Sequence, residues 1–103
     1  MRVAVTGSLL LALAGCTWVD LTSEGETVTV VSAVPGSCKR LGSTTSTTRA
    51  DIASIDRDDR KVSAELATLA RNSAARMGAD TIKAESKISD RGEQTFGVYR
   101  CGA

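Results

Sequence analysis

Apolar and polar residues repeat along this chain with two different periods, and the change of period marks out its elements. Val62, Leu66, Leu69, Ala70, Ser73, Ala74 and Met77 recur at helical spacing, with Lys61, Glu65, Thr68, Asn72, Ala75 and Arg76 on the other side. The pattern predicts an amphipathic helix whose small inner residues lie close against a sheet, with Met77 as core filler and Gly78 in the left-handed position that closes it. From Asp80 the period drops to two. Ile82, Ala84, Ser86 and Ile88 share one face and Thr81, Lys83, Glu85 and Lys87 the other; after the turn residues Ser89-Asp90-Arg91-Gly92-Glu93, Phe96, Val98 and Arg100 alternate with Thr95, Gly97, Tyr99 and Cys101. These segments predict a hairpin of two half-buried strands.

The first half carries weaker signals. Thr27 to Val34, rich in valine and threonine and followed by Pro35-Gly36, predicts a strand covered on both faces and then a turn. Ser43-Thr44-Thr45-Ser46-Thr47-Thr48 has β propensity without apolar content, which fits either an edge strand or an exposed mobile segment; a carbohydrate-binding hydroxyl ladder is the functional alternative. Arg49 to Ile55 is a weakly patterned connector. Asp56-Arg57-Asp58-Asp59 clusters carboxylates but lacks the glycine and later glutamate of a calcium loop, so Asp58 or Asp59 is expected to cap the helix instead.

The amino-terminal run has no partner in this scheme. Met1-Arg2 is followed by Val3 to Ala14, apolar except at Thr6, Gly7 and Ser8, and then by Gly15 and Cys16. About a dozen residues are too few to span a bilayer of about 30 Å but suit the apolar region of a signal peptide. The ending Leu13-Ala14-Gly15-Cys16 resembles a bacterial lipobox. That resemblance implies cleavage between Gly15 and Cys16 and diacylation of the Cys16 thiol, usually with a third chain on the new amino terminus. Two or three acyl chains make release negligible, since each buried methylene contributes about 0.8 kcal/mol. The next residue is Thr17 rather than the aspartate that commonly retains such proteins in the inner membrane, which by resemblance implies the outer membrane, facing the periplasm. Residues 1–15 are therefore expected to be the signal peptide, 16–25 the lipidated cysteine and a tether, and 26–103 the periplasmic domain. Trp18 would sit among headgroups or pack on the domain.

Composition narrows the chemistry. The 103 residues hold thirteen basic and twelve acidic side chains, a balance too even for nucleic acid, and three aromatics, too few for a stacking platform. Histidine is absent, which removes the commonest general base and metal ligand. No nucleophile elbow, phosphate loop or spaced acidic pair is present, so no catalytic residue, metal site or cofactor is assigned. Of three cysteines, Cys16 is taken by lipid. Cys38 and Cys101 are then expected to pair in the oxidising envelope, a structural bridge rather than a redox motif because they are far apart in sequence.

Four stretches carry a family resemblance: Cys16-Thr-Trp18-Val19, Cys38-Lys-Arg-Leu41-Gly42, Ala70-Arg71-Asn72 through Met77-Gly78-Ala79-Asp80-Thr81-Ile82, and Phe96-Gly-Val98-Tyr99-Arg100-Cys101. They resemble the small outer-membrane lipoproteins grouped as a domain of unknown function. More distantly the arrangement is similar to the lipoprotein sensor of the Rcs envelope-stress pathway, from which it departs in having one bridge and no long proline-rich tether. The expected fold is α+β, one helix on a small, mainly antiparallel four-stranded sheet in the order β-β-α-β-β. The expected function is that of a noncatalytic, lipid-anchored protein of the outer membrane, acting in envelope integrity or stress signalling through contact with another envelope protein. The alternative is a periplasmic binding module for a small ligand, glycan or metal.

Overall fold

Among the described residues, one stripe of the helix provides four of the nine in the hydrophobic core. In the computed structural model, which describes residues 19–48 and 59–102, helix α1 spans Asp59–Arg76 and buries Val62, Leu66, Ala70 and Ala74 at successive four-residue intervals. Against them pack Val28, Ala79, Ile82, Phe96 and Val98, with Leu41, Ala75 and Ile88 at the margin. Alanines in the second half of the stripe bring that part of α1 close to the strands, as the small inner face predicts. Leu69 and Ser73 flank the stripe and are half-buried.

The sheet has four strands: β1, Thr29–Val30; β2, Lys39–Thr47; β3, Thr81–Ala84; β4, Glu93–Arg100. Their order across the sheet is β1-β3-β4-β2, with β1 parallel to β3 and the other two pairings antiparallel. The fold is thus α+β with a mixed sheet and one helix, in the expected β-β-α-β-β order. The β3–β4 hairpin pairs Ile82 with Val98 and Ala84 with Phe96 on the helix side, and Lys83 with Gly97 on the other. The facing of the paired residues holds, but the first strand, expected from Asp80 to Ile88, ends at Ala84, where the Ser86 hydroxyl takes the Thr95 N–H at 3.0 Å in place of a backbone carbonyl. Thr81 on the outward face is buried and Ala84 on the inward face is exposed.

Two further expectations are corrected. The strand expected over Thr27 to Val34 shrinks to two residues, because Gly25–Thr27 is wound into a 3-10 turn that takes the Val28 N–H to the Gly25 carbonyl. What remains is an outer strand exposed on both faces, at Thr29 and at Val30, which is 47% exposed; only Val28, just before it, is buried. Met77 is not core filler either. α1 ends at Arg76, Met77 falls in the turn beyond, 41% exposed, and its Cε lies over Gly42 of β2. Gly78 does take the left-handed conformation, with φ of 80°.

The hydroxyl-rich run forms most of β2, an edge strand as one of its two readings had it. Its inward positions are not bare to solvent: Ser46 and, just past the strand, Thr48 are buried. Gly15, Cys16, Trp18, the connector from Arg49 to Ile55 and the proposed caps lie outside the described residues, except for the Asp59 backbone that begins α1.

Candidate functional site

The sheet face turned away from α1 carries a polar cluster assembled by register. Residues opposite one another in antiparallel strands project to the same face, so the pairs Thr45 with Thr95, Ser43 with Gly97 and Arg40 with Tyr99 all belong to this open face. Strict alternation from Ser43 would turn Arg40 inward. A bulge between Arg40 and Gly42 prevents that: Leu41 is the extra residue, Leu41 and Gly42 both fall on the core side, and Arg40 is returned to the open face. Gly42 absorbs the distortion with φ of 153°, a conformation side chains rarely adopt.

Arg40 reaches Glu85, just past β3, in a two-pronged ion pair: Nη1 donates to Oε2 and Nη2 donates to Oε1 at 3.3 Å. Nη1 also donates to the Tyr99 hydroxyl at 3.3 Å, and the guanidinium carbon stands 5.7 Å from the centre of the Tyr99 ring. The pair crosses directly over Gly97, where a Cβ would collide with Glu85 Oε2 and lie 2.7 Å from Arg40 Nη1. Glycine here gives the bridge its seat. The guanidinium holds the Glu85 carboxyl below the usual range, and Glu85 in turn raises Arg40. Beside the bridge, the hydroxyls of Thr45 and Thr95 share a hydrogen bond of 3.0 Å. The arrangement offers donors, acceptors and an aromatic ring to a polar partner.

A second cluster ties the sheet's ends together. Cys38 and Cys101 form the expected disulfide. It continues the β2–β4 ladder one position past the Lys39–Arg100 pair. Beside it the Asp80 carboxylate accepts hydrogen bonds from the N–H groups of Cys101 at 2.8 Å and Gly102 at 2.7 Å, and from the Thr81 hydroxyl at 3.0 Å. Chiefly the first two hold its pKa below the ordinary aspartate value. Its own N–H donates to the Tyr99 carbonyl and its carbonyl accepts from Thr29, so one residue joins β1, β4 and the chain end. The Arg100 guanidinium donates to the Gly78 carbonyl at 2.6 Å. The run Met77-Gly78-Ala79-Asp80 thus ends the helix, buries Ala79 and fastens the last strand.

A third cluster lies on the outer side of α1. Asn72 Nδ2 donates to the Asp20 carbonyl at 3.0 Å, while its Oδ1 accepts from the Thr22 N–H at 2.9 Å and the Thr22 hydroxyl at 3.1 Å. Arg71 Nε donates to the Val28 carbonyl at 2.9 Å and Nη2 to that of Glu26 at 3.3 Å. Gly25 is pressed in so closely that a Cβ would strike Asn72 Oδ1. Residues 20–26 therefore lie fixed across the helix. The part of the expected tether from Asp20 onward is thus hydrogen-bonded to the helix.

Sequence reasoning placed Cys38 and Cys101 together and put Asn72 on the outer side of its helix. It missed Arg40, Glu85 and Tyr99 as a group, and the burial of Asn72. Alternation turned Glu85 and Tyr99 outward, but only strand order and the bulge bring Arg40 to them; Gly42 was the one local sign of that bulge. Among the described residues no group of His, Cys, Asp or Glu side chains is placed to hold a metal ion, and no helix is long and apolar enough to cross a membrane.

No curated protein and no solved structure matches the chain. A family match covers residues 19–101, which takes in the Asn72 contacts at one end and the disulfide at the other. With the whole described fold inside that match, the chain belongs to the family described as domain of unknown function DUF4156.

Proposed function

We propose that this protein is a noncatalytic lipoprotein of the bacterial outer membrane that works through contact with another envelope protein, in envelope integrity or stress signalling. The observation that carries the reading is the adjacency of two features: the lipobox-like Leu13-Ala14-Gly15-Cys16 ends three residues before a folded domain that begins near Val19 and is tied by a disulfide. A structural disulfide is the mark of an oxidising compartment, and the envelope outside the inner membrane is one. The open sheet face supports a contact role. It presents Arg40 and Tyr99, residue types enriched at protein interfaces, with Glu85, Thr45 and Thr95 as polar neighbours.

The test has two arms. Cys16→Ser is expected to abolish lipid modification, detected by mass spectrometry, and to remove the protein from the outer-membrane fraction; unchanged fractionation of that variant would sink the anchoring. Photocrosslinking in intact cells from Thr45 and from Lys61 addresses the contact. A reproducible protein adduct from the sheet position supports it, and adducts from neither position overturn it in favour of a small-ligand role.

A further inference from the structure

The Asn72 contacts decide how few residues separate the fixed part of the domain from its proposed anchor. Asp20 is four residues past Cys16, a stretch of at most about 14 Å when fully extended. If the chain were free as far as the buried Val28, the twelve residues from Cys16 would span about 40 Å. The contrast matters because of where the attachment lies. Asn72 is two residues from both Ala70 and Ala74, about 200° of helical turn from either, so it sits on the side of α1 opposite the core. Residues 20–26 cross that side through Asn72 and Arg71, and by Val28, whose side chain is in the core, the chain has come round to the edge of the sheet. From the outer side of α1 to the open sheet face is about 20 Å, a helix diameter plus a sheet layer. A leash of about 14 Å is too short to carry the anchor around to the sheet face, whereas one of about 40 Å would let the domain turn over.

We propose that the Asn72 clasp fixes the domain's orientation on a lipid surface: the outer side of α1, under residues 20–26, lies against the headgroups, and the face built by Arg40, Glu85 and Tyr99 looks away from the bilayer. The inference rests on the lipid attachment at Cys16 proposed above. The surface turned to the membrane is polar and of mixed charge, with Lys61, Thr68 and Arg76 beside the clasp and Asp20, Glu24 and Glu26 on the segment itself, which suits contact with headgroups and water rather than insertion. The same geometry presents the sheet face to whatever stands in the periplasm.

The test uses the full lipidated protein in vesicles of phosphatidylethanolamine and phosphatidylglycerol containing a nickel-chelating lipid, whose ions quench only nearby fluorophores. A fluorescent amino acid replaces Thr68 on the helix side or Thr45 on the sheet face. Quenching is expected to be several-fold greater at position 68. Asn72→Ala should erase the difference, and so should ten glycine and serine residues inserted after Thr17, a change that leaves the domain untouched. Equal quenching at the two positions in vesicle-bound, lipidated protein overturns the orientation alone, as does a difference that survives the insertion. Protein that carries no lipid overturns the anchoring together with it.

Discussion

Asp80 joins the helix end to the last strand through one side chain. Its carboxylate holds two successive N–H groups at the chain end and a threonine hydroxyl, and these bonds favour the charged form. Because its folded pKa lies below the unfolded value of about 3.9, its contribution is complete above that value. It declines as pH falls through the unfolded pKa and is gone below the folded one. Asp80→Asn is therefore expected to lower the urea midpoint at pH 7 and to lower it much less at pH 3. An equal loss at both pH values would mean that charge is not what matters. At this scale the sequence was legible for Gly78, whose position after a periodic run announces its conformation. It was not legible for Asn72: an outward polar residue is solvated unless something crosses it, and the crossing segment reads as a polar tether.

Among the elements, α1 and β4 follow directly from their periods, whereas β3 stops four residues short of the expected Ile88 because the Ser86 side chain replaces the backbone as partner of the Thr95 N–H. β1 does not follow from its pattern, because local hydrogen bonds of the Gly25–Thr27 turn consume the residues that valine and threonine content assigned to a strand. β2 could not be registered from sequence either. Its bulge puts two consecutive residues on the core side, a departure visible only against β4. The helix end gives a clean test. A Cβ at Gly78 would meet nothing within 4 Å, so Gly78→Ala carries a backbone cost only. That cost is expected to be about 1 kcal/mol, from the left-handed φ, read as a lower urea midpoint with unchanged slope.

For the molecule as a whole, the fold is small and its core is thin, so the covalent bridge weighs heavily. Joining residues 63 positions apart removes loop freedom from the unfolded chain, for a stabilisation of about 4 kcal/mol in the entropic account. The double variant Cys38→Ser, Cys101→Ser is expected to lose about that much in equilibrium unfolding; a loss below about 1 kcal/mol would place the stability in the core instead. Counting cysteines against compartment was enough to pair them. Nothing in such a count could show that the leading segment lies across the helix, since that depends on Arg71 and Asn72 meeting carbonyl groups more than forty residues away.

The disulfide and the Asn72 clasp together also determine how the molecule answers a mechanical load. A pull from the amino-terminal side first reaches the hydrogen bonds at Asn72 and Arg71, and then the two residues of β1. Beyond them it meets Cys38, where the chain closes into a ring with Cys101. The ring cannot be drawn out while the sulfurs stay bonded. Only the stretch from Asp20 to Cys38 can pay out, about 60 Å at full extension, and the Arg40, Glu85 and Tyr99 face lies wholly on the part that does not lengthen.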